Sequence, residues 1–233
     1  MEDLAIIRGA TEPFMEELKV EQAVMQGLLD HIDAFPAGGA SPTMEDFYTG
    51  EEIISQGIMS VLISRVPTAM MMCVELLGLA LDMGATLEQR SFPRPNDIAE
   101  RLALLPPPER TSYPDCDDVG LEGFAMRLDH SLAALRYAER ALDSSLDIFT
   151  DAFTLIFTKP YPPLAHAWQR EAHARSTAAR KMEARTSLAT ALRCVDYAHA
   201  QATVALTRIA PPPNTTTPAT NLVGASQRDN KSA

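Results

Sequence analysis

Asp196 and His199 are the two side chains whose types and spacing most invite chemistry. Three residues apart on a helix, a carboxylate and an imidazole share one face. Helical bundles hold metal ions with such a pair when facing helices add further carboxylates. A candidate facing helix here offers Glu122, Asp129, Glu139, Asp143, Asp147 and Asp151, most of them off its apolar seam. His199 itself falls on an apolar seam, so the plainer reading is a core histidine bonded to Asp196 or to a backbone carbonyl. The pair is expected to be a polar core site, with no metal assigned to it.

Other constellations fail where the ligands matter. Counted as a calcium loop, Asp115-Cys116-Asp117-Asp118 places Gly120 correctly at position six. Val119 and Met126 then stand where oxygen ligands are needed. The acids read instead as favourable charge at a helix N-terminus. His166, Arg170 and His173 form a stripe whose guanidinium would repel a metal and attract an anion. Around it, Arg170, Arg175, Arg180, Lys181 and Arg185 make a basic stretch, and residues 159–208 hold eight basic against three acidic side chains. Such a stretch suits phosphate, an anionic lipid surface or the chain's own acidic half. Zinc spacing, a helix-turn-helix signature and an aromatic stacking platform are missing. Gly38-Gly39 lacks the lysine of a phosphate loop, and no Gly-x-Ser-x-Gly elbow occurs. No catalytic residue and no cofactor follows from the sequence.

Cys73, Cys116 and Cys194 are scattered without metal or redox spacing, which fits a reducing compartment. The start, Met-Glu-Asp-Leu, lacks the basic and apolar regions of a signal peptide, so an intracellular location is expected. Residues 53–83 are rich in Ile, Leu and Met, yet Arg65, Pro67, Glu75 and Asp82 interrupt them. They read as core rather than as a membrane span.

The elements that would position these groups are helices. Leu121, Leu128, Leu135, Leu142, Phe149 and Ile156 recur every seven residues, with Phe124, Leu132, Ala138, Leu146 and Phe153 at the intermediate steps. Seven residues return a side chain to nearly the same face, so the run predicts one long helix over about 119–157 with a continuous seam. Pro160, Pro162 and Pro163 then force a reversal into a second long helix, from about 164 to 209. Its seam is expected at Leu188, Leu192, Val195, His199, Ala202, Leu206 and Ile209, while residues 165–187 are Ala-rich, polar and studded with arginine. Long helices joined by a short turn lie antiparallel.

Upstream, Thr11 is expected to cap a helix that ends near Phe35, and Thr43 one that runs to about Ser64. Pro67 should break or kink the path and push Val66 toward extended geometry. A third helix from Thr68 to Met83, stopped by Gly84, is apolar almost all round and is expected at the centre of the core. A short helix follows from Asn96 or Asp97 to Leu105.

The expected class is therefore all-α: a helical bundle with a long antiparallel, coiled-coil-like C-terminal helix pair and a disordered C-terminal tail. Residues 1–105 form an acidic helical subdomain, 106–118 a Pro-rich linker, 119–210 the long hairpin and 211–233 the tail. Residues 1–118 carry 21 acidic and 7 basic side chains and residues 119–233 carry 10 and 13, so the halves differ in sign and could pair within one fold or between copies. A non-enzymatic interaction or assembly protein is the leading functional expectation. Its self or partner seam would comprise Leu121, Leu128, Leu135, Leu142, Phe149, Ile156, Leu188, Leu192 and Val195. A regulatory contact to nucleic acid or an anionic surface through the arginine stretch comes second, and a helical metal-binding protein or enzyme third.

Overall fold

The computed structural model describes residues 2–34, 44–85, 120–157 and 167–209. These residues are almost entirely helical, and no strand occurs among them. The predicted linker, the short helix ending at Leu105, the acid cluster at Asp115–Asp118, His166 and the tail lie outside the described residues.

Helix α1 (Glu2–Ala34) starts well before the expected cap and passes through Pro13. Thr11 does not cap it. Its hydroxyl is buried and donates to the Ile7 carbonyl one turn back, at 2.7 Å. Pro13 deprives the Gly9 carbonyl of its donor. Ile7 is nevertheless sealed into the core beside Phe14 and Leu18, and its burial offsets that loss.

Helix α2 (Met44–Ser60), a π-helical turn (Val61–Arg65) and α3 (Val66–Asp82) form one uninterrupted path, so Pro67 causes no break. The widened turn is the reason. Val66 donates to Val61, five residues back, and keeps helical dihedrals of −58° and −45°. Pro67 then falls in the first turn of α3, where its missing N–H is no loss. Gly84, at φ +98°, ends α3 as expected. Its N–H reaches Leu81 at 2.9 Å and that of Ala85 reaches Ala80 at 3.0 Å, a Schellman closure.

The long helices are α4 (Leu121–Phe157) and α5 (Ala167–Arg208), about 56 and 63 Å long. Four hydrogen bonds tie them at successive heights. Gly120 N donates to Arg208 O at 3.2 Å, Arg127 Nη1 to Gln201 Oε1 at 3.1 Å, Ser131 Oγ to Ala198 O at 2.9 Å and Ser145 Oγ to Ala184 O at 2.9 Å. Helices α1 and α3 cover this pair, and the buried apolar residues of all five helices join in one core.

The third helix is not the centre of that core. Val66, Ala69, Cys73, Leu76 and Ala80 face inward, but Met71, Val74 and Leu81 are exposed. Its all-round apolar composition reflects two faces, one packed on α1 and α4 and one turned outward. Packing is tight on the inner side of α2, where a Cβ at Gly57 would strike the Leu28 side chain. Gly57→Leu is therefore expected to destabilise by about 1–3 kcal/mol through overpacking, read as a lower urea midpoint. An unchanged midpoint would contradict the close approach.

Candidate functional site

The predicted seam is packed inside the chain. Leu128, Leu135, Leu142, Leu188 and Val195 are fully buried, Phe149 is nearly so, and Leu121 and Leu192 are half-buried. Ile156 lies on α4, its side chain outside the described residues. The seam of α5 is centred differently from the expectation. Ala184, Ala191, Ala198 and Ala205, seven apart, are buried together with Leu188, Val195 and Ala202, whereas Leu192, His199 and Leu206 sit half-buried to one side. Small alanines bring the backbones close enough for Ser131 and Ser145 to reach carbonyls across the pair. The described members of this seam are therefore spent on the chain's own core.

Asp196 and His199 belong to that flanking row and face α1, not the acids of α4. With Gln22 and Gln26 of α1, Leu192 and Ala200 they line an open cleft of about 480 Å3. Gln22 Nε2 donates to Asp196 Oδ1 at 2.8 Å, and Gln26 Nε2 to Asp30 Oδ1 at 3.0 Å. Burial raises the Asp196 carboxyl, against the Gln22 bond and the His199 charge that lower it. Burial also lowers the His199 imidazole, with Lys19 adding to the shift and Asp196 and Glu16 opposing it. The Nε2 atom of His199 is buried without a hydrogen-bond partner. The cleft thus joins a carboxylate and an imidazole to two amides. No group of three or more His, Cys, Asp or Glu that could hold a metal ion is present among the described residues.

The basic stretch is largely engaged with acids of the same chain. Arg185 grips Asp33 at the end of α1 through Nε at 2.5 Å and Nη2 at 2.9 Å, and Lys181 Nζ donates to the Asp33 carbonyl at 3.3 Å. The Arg185 bond holds the Asp33 carboxyl below the usual carboxylate range. Arg180 pairs with Glu183 at 3.5 Å and Arg175 with Glu171 at 3.7 Å. Arg170 lies on α5, its side chain outside the described residues.

Two features escaped the sequence reading. Glu21 is fully buried on α1, and neither of its carboxylate oxygens has a hydrogen-bond partner. The outward side of the helix from Glu52 to Asp82 exposes Ile53, Met59, Ile63, Met71, Val74 and Leu81. Ile63 is 65 % exposed and Met71 57 %, which sets them apart from half-buried core edges. By length and composition this 31-residue helix could cross a membrane, at a mean hydropathy of 1.6. Its inner face, however, is packed against α1 and α4.

The two described cysteines, Cys73 and Cys194, are free and buried thiols. Cys73 donates to the Leu128 carbonyl at 3.1 Å. Burial pushes both Cys73 and Cys194 up to about 12. Both thiols are expected to resist a thiol reagent at pH 8 until the protein is unfolded, and rapid native labelling of either, located by peptide mass, would contradict their burial.

Compared with models of known protein families and with curated proteins, the chain matches none.

Proposed function

We propose that this chain is a non-enzymatic, scaffold-like assembly protein whose contact surface is the outward apolar face of the Glu52–Asp82 helix. The long helices serve as its rigid frame. We read them as an antiparallel, coiled-coil-like pair, a reading supported by the four cross-helix hydrogen bonds and by the seven-residue rows on both helices. The observation that carries the functional reading is a contrast. The predicted seam is buried within the chain, while Met59, Ile63, Met71, Val74 and Leu81 stay exposed along one helix. An apolar row of this length on a folded chain marks a contact surface.

Two other readings receive less support. The arginine stretch is turned toward Asp33, Glu171 and Glu183, which suits pairing within the fold better than capture of a polyanion. Asp196 and His199 meet amides rather than the added carboxylates that a metal centre would require.

Light scattering across a concentration series is the test. The native mass is expected to rise with concentration above the 25.4 kDa of one chain, and Ile63→Asp to hold it at one chain without loss of helicity. A native monomer at every concentration, or association unchanged by Ile63→Asp, would overturn the reading.

A further inference from the structure

The cleft between α1 and α5 has a volume of about 480 Å3, within the roughly 300–1,000 Å3 of small-molecule sites. Its polar groups are arranged to accept. Each of its two amides turns its nitrogen to an acid, Gln22 to Asp196 at 2.8 Å and Gln26 to Asp30 at 3.0 Å. Gln22 Oε1, Gln26 Oε1 and Asp196 Oδ2 are left as acceptors, and no described residue donates to any of them. The His199 imidazole adds no cation. Burial and then Lys19 lower it, against Asp196 and Glu16, so it is uncharged at neutral pH. Lys19 is itself paired with Glu16 at 2.6 Å and does not line the cleft. Leu192 and Ala200 supply apolar wall. The result is one carboxylate and two amide oxygens beside a small apolar surface.

We propose that this cleft binds a primary ammonium carried on a short aliphatic stem, with Asp196 as its counter-charge and the oxygens of Gln22 and Gln26 as further acceptors. An ammonium has three N–H donors and no acceptor, and the three oxygens match it in number and kind. Leu192 and Ala200 meet the stem. Other cations fit the lining less well. A guanidinium is recognised by both oxygens of a carboxylate, and one oxygen of Asp196 is already held by Gln22. A quaternary ammonium calls for a cage of Trp, Tyr or Phe, and none of these lines the cleft. A metal ion needs more than one carboxylate and one imidazole, and no group of three or more His, Cys, Asp or Glu that could hold one is present among the described residues. The ammonium is that of a free alkylamine or of a lysine side chain in a peptide, and the chemistry that recognises it is the same. This site lies between α1 and α5 and stands apart from the apolar face of the Glu52–Asp82 helix, so it does not rest on the assembly reading.

Pentylammonium and the methylamide of N-acetyl-lysine are the probes, and tetramethylammonium, of equal charge but without N–H donors, is the control. The full chain is titrated with each in the millimolar range. Binding is read by calorimetry and by the imidazole proton NMR signal of His199, assigned through His199→Gln. At least one primary ammonium is expected to bind and to shift that signal, and tetramethylammonium to do neither at the same concentration. Asp196→Asn keeps an oxygen for Gln22 but removes the charge, and it is expected to weaken binding roughly tenfold or more. Gln26→Met, at an exposed position, is expected to weaken it several-fold. Far-UV circular dichroism checks that helicity is kept, and Gln26→Met serves alone if Asp196→Asn loses it. Tighter binding of pentylammonium points to a free amine and tighter binding of the lysine probe to a peptide, and either supports the site. A His199 signal that neither ammonium moves, an equal response to tetramethylammonium, or undiminished binding by the folded variants would overturn the proposal.

Discussion

Replacing Glu21 by methionine is expected to stabilise the protein by about 3 kcal/mol at pH 7 and by about 5 kcal/mol above pH 8. Glu21 is fully buried, and both its carboxylate oxygens lack a partner. Burial, and then the charge of Glu17 one turn earlier, raise its pKa from 4.5 to about 8, against a smaller lowering by Arg65. Arg65 is itself held by Glu17 at 3.3 Å, so it does not neutralise the buried acid. The sign follows from proton binding. Between pH 4.5 and 8 the folded chain keeps a proton on Glu21 that the unfolded chain has released. The contribution of Glu21 is therefore greatest below this window, falls as pH rises through it, and levels off above it.

Methionine is unbranched, suits a helix and fits beside Leu18 and Met25 without a group to ionise. Urea unfolding from about pH 4 to 9 is the measurement. The native protein should show the falling limb, and Glu21→Met should lack this contribution, as should the uncharged control Glu21→Gln. A native slope that persists undiminished in both variants would contradict the assignment.

Leu135→Asp is expected to abolish the fold. Leu135 is fully buried midway along α4. Truncation to alanine there costs about 2–5 kcal/mol. Aspartate adds the penalty of placing a carboxylate among apolar side chains, and together these reach the total stability of an ordinary domain. Far-UV circular dichroism should show lost helicity for Leu135→Asp and a lower melting temperature for Leu135→Ala. A cooperative melt at the native temperature in either variant would mean that this leucine is not core.

Large apolar residues at regular spacing made the helices legible in the sequence. The row from Leu121 to Phe149 predicts α4 and its inner face, and Gly84 marks the end of α3 because only its positive φ closes that turn. What was hidden depended on small or compensated residues. Ala184, Ala191, Ala198 and Ala205 form the true inner row of α5. Alanine carries little hydropathy, so the larger Leu192, His199 and Leu206 drew the seam to one side. Pro67 predicts a break by its local chemistry, and the π-helical turn before it removes the conflict through a hydrogen bond that spacing alone does not reveal. The candidate site was half legible. The spacing of Asp196 and His199 puts them on one face, but only the fold shows that Gln22 and Gln26 meet them instead of the acids of α4. Glu21 gave no signal, since a glutamate between two apolar helix positions reads as solvated until its neighbours are known. The outward face of α3 was concealed because its composition is as apolar as the buried face behind it.

On the proposed reading, the seam governs stability and the outward face governs association. Stability and solution mass of Leu135→Ala and Ile63→Asp, measured side by side at matched concentrations below the melting range, test it most directly. Leu135→Ala should lower the urea midpoint and leave the native pattern of association in place. Ile63→Asp should keep the midpoint and abolish association. The reverse result, with Leu135→Ala losing association at an unchanged midpoint and Ile63→Asp associating like the native chain, would mean that the seam and not the outward face is the contact surface.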